Sequence, residues 1–442
     1  MPLWWAERAW LGGPGTQPDV LLDVKEGRFA SVTPGVTDPP PGAERLPGLT
    51  MPGMANTHSH AFHRALRGRT HERSGSFWTW RELMYEVAAG LDPESYERLA
   101  RAVYAEMALA GFTAVGEFHY LHHGPGGVPY SDPNEMGLAL IRAAEGAGIR
   151  LTLLDALYLQ GGFNAPLAGP QLRFSDKDVE GWAVRVSQLA SGRRLRIGAA
   201  LHSVRAVGAD QIAIASGWAA DRGFPLHAHV SEQQAEQRDC LERLGRSPLG
   251  VFGDVGALGA RFTAVHGNHF SAADISLLAS AGGGLCACPT TERDLGDGIG
   301  PFHAVHAAGV PLSVGTDSHT VIDGFEEVRA MEMDSRSASE QRGRFTPAAL
   351  AEAVTAGGMA AIGWDAGSLA PGRLADFVNI RMDGVRTAGA DPGQVASAVF
   401  AATAADVHTV VVGGEPVVEE GRHLLVPGAA AEMDRAVRAL AG

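Results

Sequence analysis

From about residue 48 to residue 316 the chain alternates short apolar runs with stretches of helical periodicity. Eight runs carry strand character: 49–55, 112–118, 151–157, 195–201, 225–230, 262–266, 284–288 and 311–316. Between them apolar residues recur at helical spacing over 93–110, 133–147, 178–190, 209–222 and 232–244. Near-continuous apolar strands alternating with helices predict a parallel sheet covered on both faces. Eight such units over roughly 300 residues predict an α/β fold, a distorted (β/α)8 TIM barrel somewhat above the usual ~250 residues. An open doubly wound sheet would place a glycine-rich phosphate loop after its first strand. Thr57-His58-Ser59-His60 stands there instead.

The two ends of the chain have another texture. Residues 1–50 hold short strand patterns and a Pro/Gly turn cluster at Asp38-Pro39-Pro40-Pro41-Gly42. After a helical stretch over 347–361, strand and hairpin signals return at 367–378 and 409–418. The expected division is 1–50 and 365–426 as the two parts of one small β-sandwich, 51–364 as the barrel, and 427–442 as a terminal helix.

Composition narrows the function classes. With 45% hydrophobic and 19% charged residues among 442, the chain reads as a folded enzyme. A net charge of -14 argues against nucleic acid or an anionic membrane as partner. No leading basic-then-apolar segment and no bilayer-length apolar run is visible, and three cysteines fit a reducing compartment, so a cytoplasmic location is expected. Cys286-x-Cys288 is a soft metal pair or, more simply, two small residues of a buried strand.

In a barrel of this kind chemistry sits at the C-terminal ends of the strands. His58 and His60 share one face of the first strand, because side chains alternate along an extended backbone. Strand two ends in His119-Tyr120, strand four in His202 and Arg205, strand five in His227-Ala228-His229 followed by Glu232, strand six in His266, and strand eight in Asp317. Histidines scattered through a core would not favour strand ends. His58, His60, one histidine of strand five and Asp317 form an N/N/N/O set suited to one divalent metal, zinc before iron(II) or manganese. Such a metal acidifies a water. Asp317 could accept its proton, His266 could polarise it, and Glu232 could carry a proton to a leaving amine. The only lysines, Lys25 and Lys177, lie outside the barrel strands, so a lysine-bridged second metal is not expected.

His58-x-His60, His227-x-His229-x-x-Glu232, His266, Thr316-Asp317-Ser318 and the turn Gly367-Ser368-Leu369-x-Pro371-Gly372-x-x-Ala375-Asp376-Phe377 resemble the amidohydrolase superfamily, in its mononuclear-zinc aminohydrolase branch. Longer strings narrow the likeness to enzymes that deiminate N-formimidoyl-L-glutamate. They are His60-Ala61-Phe62-His63-Arg64-Ala65-Leu66-Arg67-Gly68, Phe77-Trp78-x-Trp80-Arg81-Glu82-x-Met84-Tyr85, Glu117-Phe118-His119-Tyr120-Leu121-His122-His123, Ala200-Leu201-His202-Ser203-Val204-Arg205 and Cys288-Pro289-Thr290-Thr291-Glu292. The resemblance implies His58, His60, His229 and Asp317 as metal ligands, with Glu232 and His266 beside them. It also implies His63, Arg81, Tyr120, His202 and Arg205 as contacts to a small dianionic substrate, in a homodimer. His63 stands where the family pattern has glutamine, and its charge is expected to vary with pH. Arginine forks match carboxylates independently of the resemblance. The competing expectations are a guanine- or cytosine-type deaminase with an aromatic or amide cradle, and a non-catalytic protein with a structural metal.

Overall fold

The computed structural model describes residues 3–70 and 77–440. Met1, Pro2 and the side chains of Phe77 and Trp78 lie outside the described residues. Sixteen strands follow in chain order: β1 (Leu3–Ala9), β2 (Gln17–Lys25), β3 (Arg28–Thr33), β4 (Glu44–Pro52), β5 (Met54–Ser59), β6 (Phe112–His119), β7 (Arg150–Leu157), β8 (Leu195–Leu201), β9 (Leu226–Val230), β10 (Phe262–His266), β11 (Gly284–Ala287), β12 (Leu312–Val314), β13 (Phe377–Ile380), β14 (Val407–Val412), β15 (Glu415–Glu419) and β16 (Arg422–His423). β5 to β12 pair consecutively into one eight-stranded sheet, every neighbour parallel. Helices between the strands cover its outside, and β5 to β7 are buried along their whole length. That double burial is why these strands read as unbroken apolar runs.

The sheet closes on itself between β5 and the segment after β12. Ser59 and Asp317 form a parallel bridge there. The Asn56 side chain reinforces it, accepting the Thr316 amide at 2.9 Å and donating to Thr316 Oγ1 at 2.7 Å. The other end of the barrel is plugged by the segment Pro347–Glu352, a π turn over Ala353–Gly357, and Gly358–Ala361. A Cβ at Gly357 would stand 2.3 Å from the Leu312 carbonyl, so only glycine lets this segment approach the strand ends.

The second sheet has the order β16-β15-β14-β13-β4-β1-β2-β3, so strands from both chain ends build it, as the matching texture of the termini predicts. One expectation is corrected here. The run 49–55 is not a single strand, because β4 belongs to this second sheet and the first barrel strand is β5. The break is Gly53, where a Cβ would meet Thr113 Oγ1 at 2.3 Å and where the amide donates to the Asp376 carbonyl at 2.9 Å. Hydrophobic periodicity runs straight through such a corner, since both strands are buried. Asp376 also explains the Pro-Gly-x-x-Ala-Asp-Phe turn. Its carboxylate accepts Arg150 Nε at 2.6 Å and Nη2 at 2.9 Å, both groups fully buried, which ties the base of β7 to the second sheet. Removing one partner of such a pair costs about 3–5 kcal/mol.

Candidate active site

Barrel closure itself brings the first and last strands' polar groups together. Asp317 donates its amide to the His58 carbonyl at 3.0 Å and accepts the His60 amide at 3.2 Å. With the backbones so joined, Asp317 Oδ1 lies 3.3 Å from His58 Nε2 and 3.4 Å from His60 Nε2. His229 Nε2 completes the group, 3.2 Å from His58 Nε2 and 3.3 Å from His60 Nε2. The tie between His227 and His229 is resolved by depth. Both face the barrel interior, but the His227 ring sits one layer lower, with Nε2 3.0 Å from the Ala361 carbonyl on the barrel floor.

These four atoms fit a divalent cation on two grounds. His60 Nδ1 bonds the Phe118 carbonyl and His229 Nδ1 bonds the His202 carbonyl, each at 2.8 Å. A carbonyl only accepts, so Nδ1 carries the proton in both rings and Nε2 presents a lone pair. Two lone pairs then face one another at 3.3 Å with nothing between them to donate. Burial also holds both imidazoles well below the ordinary histidine range, hence neutral. Secondly, ligands about 2.0–2.1 Å from a tetrahedral zinc lie roughly 3.3–3.4 Å apart. Four of the six separations in this set, 3.2–3.4 Å, fall on that spacing.

Beside these donors stand the carboxylates of Glu232 and Glu292 and the imidazole of His266. His266 Nε2 faces Glu232 Oε1 at 3.9 Å and Asp317 Oδ2 at 4.0 Å, while its Nδ1 meets Glu292 Oε1 at 3.4 Å. Burial alone would depress this histidine, but Glu232, Glu292 and Asp317 push it up to about 10. Burial raises Glu232, reinforced by the Asp317 and Glu236 charges and offset by His266 and Arg205. Burial also acts to raise Asp317, but the His58 contact and the charges of His58, His266 and His63 hold it well below the usual carboxylate range. The strand ends here are strained. Ser231, His266, Asp317 and His319 adopt φ of 55°, 76°, 40° and 60°, the left-handed region that non-glycine residues avoid.

His60, His229, Glu232, His266 and Asp317 border one cleft, together with His63, Arg81, Tyr120, His202 and Arg205. The structure thus brings the candidate metal ligands, proton carriers and substrate contacts to one place, His58 behind the others. Arg205 is not a solvated loop residue, for Nε donates to Glu236 Oε1 at 3.2 Å and Nη2 lies 3.9 Å from Glu232 Oε2. The Arg81 guanidinium stands 5.6 Å from the centre of the Tyr85 ring. His63 Nε2 bonds Tyr120 OH at 2.8 Å. The expected variation of its charge with pH is corrected. Burial pushes its pKa down to about 3, so the ring is neutral throughout the neutral range.

His119 is the strand-end histidine that does not join. Alternation along β6 turns Phe118 toward the cleft and His119 outward, beside His122 and Asp155. Asp155 is already occupied there, accepting Arg185 at 2.8 and 2.7 Å and Trp182 Nε1 at 3.0 Å. Sequence reasoning gave no role to Glu292, Glu236 or Glu117. Glu236 sits in the first turn of the helix Gln234–Leu244, and its partner Arg205 lies 31 residues away. Glu117 accepts Ser59 Oγ and the Ala61 amide, both at 2.6 Å, fixing the chain on either side of His60, and burial first among its causes raises it to about 7. Its signal was faint, because the pairing spans 56 to 58 residues.

Comparison with known proteins agrees with this fold. The profile of the Amidohydrolase family matches residues 49–417. Formimidoylglutamate deiminase of Pseudomonas aeruginosa is 39% identical over 436 residues, 95% of each chain. 8-Oxoguanine deaminase of the same organism is 30% identical over 84% of this chain and 83% of its own. A crystal structure of an amidohydrolase from Brucella melitensis superposes with a TM-score of 0.90 at 33% identity, over 100% of both chains.

Proposed function

This chain belongs to the amidohydrolase family, and on that premise we propose that it deiminates N-formimidoyl-L-glutamate to N-formyl-L-glutamate and ammonia, with one divalent metal, zinc, held by His58, His60, His229 and Asp317. The carrying observation is the make-up of the cleft. A buried donor set lies at its floor, and Arg81, Arg205, His202, Tyr120 and His63 line the same cavity. An acidic protein that gathers two arginines beside a hydrolytic centre suits a small molecule with two carboxylates and one amidine carbon. The 39% identity to a formimidoylglutamate deiminase over nearly the whole chain supports the same substrate.

The reaction adds water across the C=N bond and then breaks the bond to the terminal nitrogen. A C=O forms and NH3 leaves. His58, His60, His229 and Asp317 would hold a divalent metal, which would supply Lewis acidity and lower the pKa of a water from 15.7 toward about 7. The chain's own residues handle the protons. Asp317 Oδ2 lies 4.0 Å from His266 Nε2, so this oxygen would accept the water proton while His266 steadies negative charge on the adding oxygen. Glu232, raised above its ordinary range by burial, carries a proton to the terminal nitrogen as that bond breaks. The guanidiniums of Arg81 and Arg205 orient the carboxylates and keep the amidine carbon over the centre.

A second reading has its own observation. Trp80, Tyr85, Tyr158 and Phe174 also line the cleft and offer flat surfaces for a heterocycle, and a relative at 30% identity is an 8-oxoguanine deaminase. Ammonia release by zinc-loaded protein, measured side by side on N-formimidoyl-L-glutamate, 8-oxoguanine, guanine and cytosine, decides between them. Turnover of a heterocycle without turnover of the amidine would overturn the first reading.

A further inference from the structure

Beyond the Arg81–Arg205 pair the cleft does not end. A second chamber shares Arg81, Tyr158, His202 and Arg205 with it and continues outward between the 160–165 loop and the helix Gln234–Leu244, where Arg243 and Asp239 border it. Its loop wall is preformed. Leu159 and Gln160 both donate their amides to the Ala206 carbonyl at 2.9 Å, Gly161 donates to Ala165 O at 3.0 Å, and Gln160 Oε1 accepts the Asn164 amide at 3.2 Å. Three guanidiniums border this chamber against one carboxylate, on a chain whose net charge is -14. The carboxylate, Asp239, is 3.2 Å from Arg238 Nη2. Arg243, in the last turn of its helix, enters no hydrogen bond or ion pair with the described residues.

Resting on the deiminase reading, we infer that the outer chamber is an anion subsite that admits N-formimidoyl-glutamate extended through its outer carboxylate, by an amide, to a second acidic residue. The extension passes the inner arginines, and its terminal carboxylate meets Arg243. The chemistry is unchanged: water adds to the formimidoyl carbon, ammonia leaves, and the amide of the extension stays intact.

The test uses the full-length, zinc-loaded protein and two probes, N-formimidoyl-L-glutamate and N-formimidoyl-γ-L-glutamyl-L-glutamate. Turnover of the extended probe with kcat/KM within about tenfold of the shorter one is expected. Arg243→Ala should lower kcat/KM roughly threefold to fivefold on the extended probe, the scale of an exposed charge pair, and leave the shorter probe within about twofold. The extended-probe difference should shrink as salt is raised. Turnover of the short probe alone, or an equal effect of Arg243→Ala on both, would overturn the subsite while leaving the deiminase reading intact. No turnover of either probe would overturn both.

Discussion

Asp317 holds His60 twice, accepting its amide on the backbone carbonyl at 3.2 Å and facing its imidazole with the carboxylate at 3.4 Å. One residue thus closes the barrel and completes the donor set, and the two tasks use different atoms. Asp317→Asn keeps the backbone bonds and removes the anionic donor. The expected outcome is a folded protein with an unchanged far-ultraviolet spectrum and metal content well below one per chain. Ammonia release should fall by three orders of magnitude or more, on the order of 4 kcal/mol of barrel-mouth electrostatics. Full metal content by elemental analysis in this variant would remove Asp317 from the ligand set.

Glu232 separates from the ligands by the same logic. Its carboxylate reaches His266 at 3.9 Å and Arg205 at 3.9 Å, and neither contact holds a donor atom of the centre. Glu232→Gln keeps the volume and loses the proton. Metal content should therefore stay at one, while kcat falls by roughly 10²–10⁴, the usual range for a positioned acid or base. A variant with wild-type kcat would place the proton carrier elsewhere, Glu292 being the nearest other carboxylate to His266.

What could be read from the chain, and what could not, divides along one physical line. His58, His60, Asp317 and one histidine of strand five were legible because a parallel barrel sends the ends of its strands to one mouth and a period of two sets which side chains face inward, a period that leaves His227 and His229 tied. The same period, applied strictly to β6, would have turned His119 outward, since it is odd to Phe118 and Tyr120. The boundary at Gly53 was hidden because every residue from Leu49 to His60 is buried, so the pattern does not change across it. Glu292, Glu236 and Glu117 were hidden because their work is done by pairing across the fold. Glu292 serves His266 across 26 residues, and no local spacing announces such a partner.

His122 gives the pH dependence a test away from the proposed metal site. It is buried, and burial, with the Arg185 charge, depresses it to about 4 against 6.5 for the ordinary ring. Between pH 4 and 6.5 the unfolded chain therefore binds a proton that the folded chain refuses. Stability is complete above about 6.5 and declines as pH falls toward 4, by up to about 3 kcal/mol from this residue. Replacing the ring by a neutral side chain, His122→Gln, should flatten the slope of unfolding free energy against pH in that window relative to wild type. Urea titrations at pH 7 and pH 4.5 on both proteins measure it. Equal slopes would mean that His122 already binds its proton in the fold.

Arg173 tests how the substrate side of the mouth is held in place. Only 2% exposed, it spreads one guanidinium over the end of the helix Phe77–Gly90, which carries Trp80, Arg81, Met84 and Tyr85 into the cleft. Nη1 donates to the carbonyls of Ala88 and Ala89, Nη2 to Leu91 O at 2.7 Å, and Nε to His123 O at 2.8 Å. Its own backbone carbonyl accepts the amides of His122 and His123 at 3.0 and 2.9 Å, just beyond Tyr120. A cation at a helix C-terminus is favourable in itself, and here it also fixes Arg81 relative to Tyr120. Arg173→Ala leaves those carbonyls unpaired and should lower the unfolding free energy by about 2–4 kcal/mol. If Arg173 acts only on stability, the surviving folded enzyme keeps its KM. If it positions the arginine side of the cleft, KM for N-formimidoyl-L-glutamate rises several-fold with kcat and metal content nearly unchanged, and Arg173→Lys, which keeps one donor and the charge, recovers part of the KM. The second pattern is the one expected, because the proposed ligands and proton carriers lie at the ends of barrel strands and none accepts a hydrogen bond from Arg173, while Arg81 sits on the helix that it caps.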